Sequence, residues 1–286
     1  MSLPAEAVEL LRHILALRPT LKAVAEPITK DGRSWIILAR KFRPIDAASF
    51  DLLWRGKPEN RPKGIIMGRQ VTFPRFTQSY GVDYTYTGQC ARALPWDRAP
   101  PNIIDAYREL KGLIKVTCPK YEPNSALVNF YETSPGDTPD YMGLHSDDER
   151  TLVAGAPIVS LTWCTRGHTR RFRLKPVDTT KDAVVPTGWK QSKLDGAVVA
   201  LGNGDLVIMG GACQRTHKHE VMKPLTRDPS ERCGRRINVT LRRFTAKVGK
   251  GMADDAAGQK HKAVGGSSNF HLSGIKRPLE LEQGAL

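Results

Sequence analysis

A succession of short apolar or alternating runs constrains the fold of this chain more than any other feature. The runs lie between Ile65 and Phe244, and Gly, Pro or Asp residues interrupt them. In order they are GIIMGRQVTF, DYTYTG, ALVNFYE, PIVSLTWC, RRFRLKP, GAVVALGNGDLVIMGG and RRINVTLRRF. Short strands with turn residues between them predict an all-β sandwich or barrel.

The rest of the chain predicts three regions. Residues 1–64 are expected to form a helical and loop extension, and residues 65–245 the main domain. Within that domain, PPNIIDAYRELKGLIK places apolar residues three and four apart after a proline start, as in a helix that covers one side of a sheet. Asp178–Lys193 forms a polar insertion. Residues 246–286 are rich in Gly, Ala, Lys and Ser, which predicts a basic tail without ordered structure.

Composition limits the class of protein. With 286 residues, of which 40% are hydrophobic, the chain is long enough to bury a core. No apolar run approaches the roughly 20 residues needed to cross a bilayer, and the N-terminal leucines are interspersed with charges, unlike a signal peptide. We therefore expect an intracellular monomer, nuclear in a eukaryote and otherwise cytoplasmic. Its five cysteines are scattered without a C-x-x-C pair, which favours reduced core thiols.

The charge balance indicates a polyanionic partner. The chain has 44 basic and 29 acidic residues, a formal net charge of +15. A positive field favours nucleic acid, since phosphate contacts release counterions. Nucleic acid is therefore the expected partner; the alternative is a basic surface without a partner.

The segment MGLHSDDER contains a candidate metal site. On a strand, residues two apart share a face, so His145 and Asp147 can address the same ion. A third ligand is available downstream in GGACQRTHKHEVMK, where His217 and His219 are again two apart and spacing does not choose between them. Two histidines and a carboxylate suit non-haem Fe(II), and zinc hydrolysis would accept them as well. The alternative is a solvated acidic turn that contains a histidine.

The strand RRINVTLRRF suggests a site for an anion. Alternation sends Arg236, Asn238, Thr240 and Arg242 to one face. Two inward guanidiniums need anionic partners, because an unpaired buried charge is costly. A small dicarboxylate lying between them would satisfy both. The alternative is that one arginine pairs with Asp147 and the others face solvent.

A second arginine-rich strand, TRRFRLK, allows a different use of charge. Arg171 and Arg173 share one of its faces and could track phosphates. The alternative is a solvated strand face.

These motifs, in this order, resemble a known family. HSD, HKHEV and RINVTLR are similar to the H-x-D, H and R-x-N-x-T-x-R elements of the AlkB family of Fe(II)/2-oxoglutarate dioxygenases, which repair alkylated nucleic acid bases by oxidative demethylation. NFY stands where the family has N-R-Y, and HSDDER and PRFTQSYG with DYTYTG resemble segments of the animal DNA-repair branch of that family. The resemblance covers Ile65 to Phe244. It implies a mainly β fold with flanking helices around a double-stranded β-helix (jelly roll) core.

The resemblance also implies a metal and its cosubstrates. The metal is Fe(II), with 2-oxoglutarate and O2 as cosubstrates, and the implied iron ligands are His145, Asp147 and His219. His219 is preferred to His217 because KHEV stands where the family has Q-H-R-V.

A further set of residues is implied to bind 2-oxoglutarate. Arg236 would hold its distal carboxylate with help from Tyr131 and Asn238. Arg242 and Asn129 would lie near the end that chelates iron.

The implied substrate residues are five. Tyr84 and Tyr86 occupy family positions around the base pocket, and Asp148 and Glu149 are candidates for polar contacts to a flipped base. Met67 would be a wedge that fills the hole left by the base, where the animal branch has phenylalanine.

The implied function is oxidative demethylation of 1-methyladenine and 3-methylcytosine type lesions, most of all in DNA. Two alternatives remain: an AlkB-like oxygenase that acts on RNA or a protein side chain, and a non-catalytic nucleic-acid-binding relative.

Overall fold

The computed structural model describes residues 2–66, 68–86, 89–134, 138–192, 195–225 and 227–245. The helices are α1 Ala5–Leu17, α2 Ala47–Arg55, α3 Pro101–Thr117 and α4 Cys213–Thr216, with single 3-10 turns at Trp96–Arg98 and Pro119–Tyr121. The strands are β1 Ala23–Pro27, β2 Ser34–Ala39, β3 Lys63–Ile66, β4 Arg69–Thr72, β5 Phe76–Gly81, β6 Tyr84–Tyr86, β7 Gln89–Ala91, β8 Ser125–Thr133, β9 Met142–His145, β10 Ile158–Cys164, β11 Arg170–Pro176, β12 Lys190–Gln191, β13 Ala197–Leu201, β14 Asp205–Gly211, β15 His217–Val221 and β16 Gly234–Arg242.

Two antiparallel sheets form the core. The larger has seven strands in the order β1-β2-β14-β10-β16-β8-β5, and the smaller has five in the order β12-β13-β11-β15-β9. Two hairpins, β3-β4 and β6-β7, lie outside them. The prediction of a mainly β fold with flanking helices and a jelly-roll core is confirmed.

Alternation gives β16 one apolar and one polar face. Ile237, Val239 and Leu241 are fully buried in a cluster that includes residues of α1 and α3. The predicted helix α3 begins at a proline and buries Ile103 and Leu110 in the same cluster. Each such side chain contributes about 1.5–3 kcal/mol on burial, so the helices stay on this face and the polar face of β16 turns toward the small sheet.

The space between the sheets is itself divided. One part is apolar and holds Leu38 and Met209 of the large sheet against Phe172 and Leu174 of the small sheet. The other part is lined by the inward polar residues of β8 and β16. A polar interior needs internal partners or a ligand, so this part is where a site is expected.

The prediction for residues 1–64 is wrong in one respect. This region contributes two strands to the large sheet, and β2 lies between β1 and β14 with all six of its residues buried. The run SWIILA has no alternation because both of its faces are covered, so the pattern that marks a half-exposed strand is missing. The basic tail predicted for 246–286 lies outside the described residues.

Three smaller expectations concern membranes, thiols and the insertion. Among the described residues, no helix is long and apolar enough to span a bilayer. Cys118, Cys164 and Cys213 are buried free thiols as predicted, whereas Cys233 is exposed. Within the predicted insertion, β12 pairs with β13 at the edge of the small sheet.

Candidate metal centre

Three predicted ligands converge between two paired strands. β9 ends at His145, which lies opposite His219 of β15 in the antiparallel register. His145 Nε2 is 4.0 Å from Asp147 Oδ1, and His219 Nε2 is 4.0 Å from Asp147 Oδ2. Each residue offers a ligand atom, and all three atoms lie within 4.8 Å of one another. The structure therefore brings together the triad that the sequence predicted.

Neighbouring groups orient these ligands. His145 Nδ1 donates to the backbone oxygen of Gly143 at 2.9 Å, which leaves the lone pair of Nε2 free to bind an ion. The backbone N–H of Asp147 donates to Gln214 Oε1 at 3.0 Å. Asp147 is 3% exposed, yet its Oδ2 accepts no hydrogen bond. A buried carboxylate oxygen without a donor fits a bound cation.

The electrostatics keep the three groups in their ligating forms. Burial would raise the pKa of Asp147, but its neighbours, above all the charge of Arg242, outweigh that effect and lower the pKa to about 2. Burial, and then the neighbouring His145, lowers the pKa of His219 to about 3. Burial also lowers the pKa of His145. The site thus holds an ionised carboxylate and two neutral imidazoles, the states that bind a metal.

The structure resolves the choice between the two histidines of β15. His217 is buried away from the triad, where its Nδ1 shares a hydrogen bond of 2.9 Å with Thr216 Oγ1. His219 belongs to the triad and His217 does not.

The predicted cosubstrate residues line one cavity with two of the metal ligands. Asn129, Tyr131, Arg236, Asn238, Arg242, His145 and His219 all contribute to it. Its volume is about 30 Å³.

The two arginines of this cavity are used differently. Arg242 Nη2 donates to Asp147 Oδ1 at 2.6 Å. Arg236 is 1% exposed and donates from Nη2 to Thr162 Oγ1 at 3.0 Å, and in the described part of the chain its Nε and Nη1 have no hydrogen-bond partner. Arg242 therefore pairs with Asp147, as one alternative predicted. Arg236 does not face solvent, and its remaining donors can bind an anionic ligand.

The other cosubstrate candidates differ in which of their polar atoms are available to a ligand. Asn129 Oδ1 is buried and unpartnered. Tyr131 places its hydroxyl 3.9 Å from Met142 Sδ. Asn238 donates to Ser160 Oγ at 2.9 Å and accepts from Thr240 Oγ1 at 3.0 Å. Asn238 thus holds the strands in register, while Asn129 has capacity for a ligand.

The structure describes only some of the predicted substrate residues. Asp148 is exposed, and Glu149 is half-buried with an unpartnered Oε2 and a pKa raised by burial. Tyr84 and Tyr86 lie on β6, but their side chains are outside the described part of the chain. Met67 lies outside it altogether. The base contacts and the wedge stay predictions.

The proposed phosphate track on β11 is wrong. Arg171 Nε pairs with Glu231 at 3.0 Å, and Arg173 Nε pairs with Glu220 at 2.6 Å. The alternative, a solvated strand face, is wrong for Arg173 as well, because that residue is buried.

Several residues that shape the site were not predicted. Gln214 approaches Asp147 from α4, and Thr162 approaches Arg236 from β10. No local pattern marks either residue, because each acts across sheets or strands that meet only in the folded chain.

Comparisons with known proteins agree with this geometry. A family model described as the 2OG-Fe(II) oxygenase superfamily matches residues 54–242. The DNA oxidative demethylase ALKBH2 of Arabidopsis thaliana is 29% identical over 222 residues, 72% of this chain and 65% of that protein. Alpha-ketoglutarate-dependent dioxygenase alkB homolog 3 of Bos taurus is 29% identical over 216 residues, 74% of this chain and 66% of that protein. This chain therefore spans slightly less than two thirds of the length of both relatives.

One solved structure is also similar. That of OsALKBH1 is 21% identical, with a TM-score of 0.45, and the match covers 78% of this chain and 100% of that one. The superfamily model, by contrast, covers well over half of the chain and includes His145, Asp147, His219 and Arg236. The chain therefore belongs to the 2OG-Fe(II) oxygenase superfamily and is a member of its AlkB family.

Proposed function

We propose that this protein is an Fe(II)- and 2-oxoglutarate-dependent dioxygenase that demethylates ring nitrogens of nucleic acid bases. Its proposed substrates are 1-methyladenine and 3-methylcytosine, in DNA above RNA. The observation that carries the proposal is the triad of His145, Asp147 and His219, whose two histidines line the same cavity as Arg236, a buried guanidinium with two nitrogens that have no hydrogen-bond partner among the described residues. A relative named DNA oxidative demethylase and the net charge of +15 support the choice of substrate.

The triad fits iron by its chemistry. Two neutral imidazoles and one carboxylate occupy one side of an ion and leave the other side open. When bound, iron and 2-oxoglutarate supply the oxidising power: O2 is consumed, the cosubstrate becomes succinate and CO2, and the hydroxylated methyl group leaves as formaldehyde.

The chain's own part is to hold and shield the reactants. Arg236 offers two donors to the distal carboxylate of the cosubstrate, and Asn129 offers an amide near the metal. Arg242 holds Asp147 in its ionised form. These groups are buried, which keeps bulk water away from the reacting methyl group.

The proposal is tested with purified protein, Fe(II), 2-oxoglutarate and ascorbate. Methylated single- and double-stranded DNA and the matching RNA are offered separately, with base masses read by mass spectrometry and succinate measured in parallel. We expect loss of 14 mass units per methyl group, about equal amounts of succinate and repaired base, and a loss of at least about 100-fold in Asp147→Ala and His219→Ala.

His217→Gln is the matched control, because His217 lies on the same strand outside the triad. This variant should keep its iron and its activity. No demethylation, with wild type and His145→Ala indistinguishable, would reject the enzymatic proposal and favour the non-catalytic nucleic-acid-binding alternative. Activity on the RNA alone would move the proposal to RNA, and succinate release that only a protein substrate stimulates would move it to a side-chain target.

We also propose that the protein acts as a monomer inside the cell, in the nucleus of a eukaryote or the cytoplasm otherwise. The oligomeric state is tested by light scattering, and the compartment by microscopy of the tagged full chain.

A further inference from the structure

A second buried arginine lies close to Tyr131, one of the residues that line the cosubstrate cavity. Arg170 begins β11 of the small sheet and is 1% exposed. Its Nη1 donates to Thr133 Oγ1 at 3.2 Å, and its Nη2 donates to the backbone oxygens of Asp140 at 2.5 Å and Met222 at 2.9 Å. Its Nε is buried and has no partner. The guanidinium is therefore held firmly by neutral groups.

Arg170 and Arg236 share one aromatic neighbour. The guanidinium carbon of Arg236 lies 5.1 Å from the centroid of the Tyr131 ring, and that of Arg170 lies 5.9 Å from it. Arg236 is directly opposite Tyr131 in the pairing of β16 with β8, whereas Arg170 comes from the other sheet. Two guanidiniums from two sheets thus meet at Tyr131.

Within the described residues, neither of these charges has a carboxylate partner in an ion pair. The nearby carboxylate of Asp140 is bonded to Arg61, and that of Glu231 is bonded to Arg171. Burial, and then the charge of Arg236, lowers the pKa of Arg170 to about 10.

The neighbouring histidine, His168, is neutral near pH 7 and adds no third positive charge. His168 is 4% exposed. Burial, followed by the charges of Arg170 and Arg236, lowers its pKa to about 4. Two buried cations without a counter-ion are costly, and a carboxylate beside Tyr131 would relieve both.

We propose that Arg170 is a specificity-determining residue of the cosubstrate pocket, which acts with Arg236 to select 2-oxo acids that carry a second carboxylate. Arg170 provides the second positive charge at the distal end, while Arg236 supplies the direct donors. The inference rests on the proposed function only in taking 2-oxoglutarate as the cosubstrate.

A purely structural role for Arg170 makes a different prediction. Its three hydrogen bonds join β8, the segment before β9 and the end of β15. If these bonds were its whole purpose, losing them would weaken every ligand of the pocket alike. A charge effect would act on the diacid and spare the monoacid.

The test compares two five-carbon 2-oxo acids that differ in the distal carboxylate. Mn(II)-loaded protein is titrated by calorimetry, without O2, with 2-oxoglutarate and with 2-oxovalerate. We expect Arg170→Gln to weaken 2-oxoglutarate about 10-fold and to change 2-oxovalerate less than about 2-fold. Arg170→Lys, which keeps the charge, should stay within about 3-fold of wild type for both acids.

Arg171→Gln is the matched control, since Arg171 is the next residue but pairs with Glu231; it should leave both affinities unchanged. In Arg236→Gln, Arg170 remains, so this variant should keep a preference for the diacid of about 5-fold. The diacid preference of Arg236→Gln tests the role of Arg170 even if Arg170→Gln does not fold.

Equal weakening of both acids in Arg170→Gln, unaltered 2-oxoglutarate binding in that variant, or a complete loss of preference in Arg236→Gln would overturn the inference. Failure of the wild-type protein to bind 2-oxoglutarate would overturn the proposed function instead, because it involves no variant of Arg170.

Discussion

Replacing Arg236 by methionine should separate stability from cosubstrate binding. Arg236 is a buried cation that donates a hydrogen bond to Thr162 and has no carboxylate partner among the described residues. Burial lowers its pKa, which indicates that the fold does not favour its charge. Methionine is similar in length and flexible enough to fill the space beside Tyr131.

The magnitudes follow from these contacts. Loss of the bond to Thr162 costs about 1 kcal/mol, whereas removing a buried charge without a counter-ion returns several kcal/mol of desolvation. The ligand-free Arg236→Met variant should therefore be more stable by about 1–3 kcal/mol, a rise in Tm of about 2–10 °C for a domain of this size. Its affinity for 2-oxoglutarate should fall at least about 100-fold, since two charge-assisted hydrogen bonds are lost.

Both quantities are measurable on the same preparation. Scanning calorimetry without ligand gives the Tm, and titration of the Mn(II)-loaded protein gives the affinity. A variant that melts below wild type would refute the claim that Arg236 is an uncompensated charge. Unchanged affinity would refute its role as the carboxylate anchor.

Three further predictions concern residues around the same site. The fold lowers the pKa of His168 to about 4. The stability that the neutral imidazole contributes is therefore present above the ordinary histidine pKa of about 6.5, and about 3 kcal/mol of it is lost as pH falls through about 4. Urea unfolding at about pH 7 and about pH 4 should show wild type losing more stability than His168→Gln, and an equal loss in both would contradict this. Gln214→Ala should weaken Mn(II) binding about 10- to 100-fold, because the backbone N–H of Asp147 loses its acceptor; electron paramagnetic resonance measures the free ion, with exposed Gln191→Ala as the control. Gly234→Ala should destabilise the fold by at least about 2 kcal/mol, because φ is +148° and a Cβ would lie 2.5 Å from His168 Cγ. A denaturation midpoint equal to that of Gly112→Ala, whose Cβ meets nothing within 4 Å, would contradict that reasoning.

Much of the site was predictable because strand alternation is a local property. Residues two apart share a face, so Arg236, Asn238 and Arg242 had to face one way and Ile237 the other, as the structure confirms. The metal triad was predictable in part. The spacing of His145 and Asp147 identifies them as a possible ligand pair, but spacing did not identify the third ligand. The family motif, and not the spacing, distinguished His219 from His217.

The remaining features depend on which segments pair. β2 was missed because a strand buried on both faces lacks alternation. The phosphate track was wrong because Glu220 and Glu231, distant in sequence, supply carboxylates to the arginines of β11. Such partners come from long-range pairing, which no local window contains.

The sequence alone therefore determined several of the strands and the inward residues of β16, since these follow from the two-residue period of a strand. It also singled out His145 and Asp147 as metal ligands, although Asp147 lies just beyond the end of β9. Tertiary structure decided how the charges were shared. Register and the approach of two sheets brought Arg242 to Asp147 and left Arg236 without a carboxylate among the residues that the structure describes, near Arg170 from the opposite sheet. Whether a buried charge is paired or available for a ligand depends on neighbours across the fold, and only the folded chain fixes those neighbours.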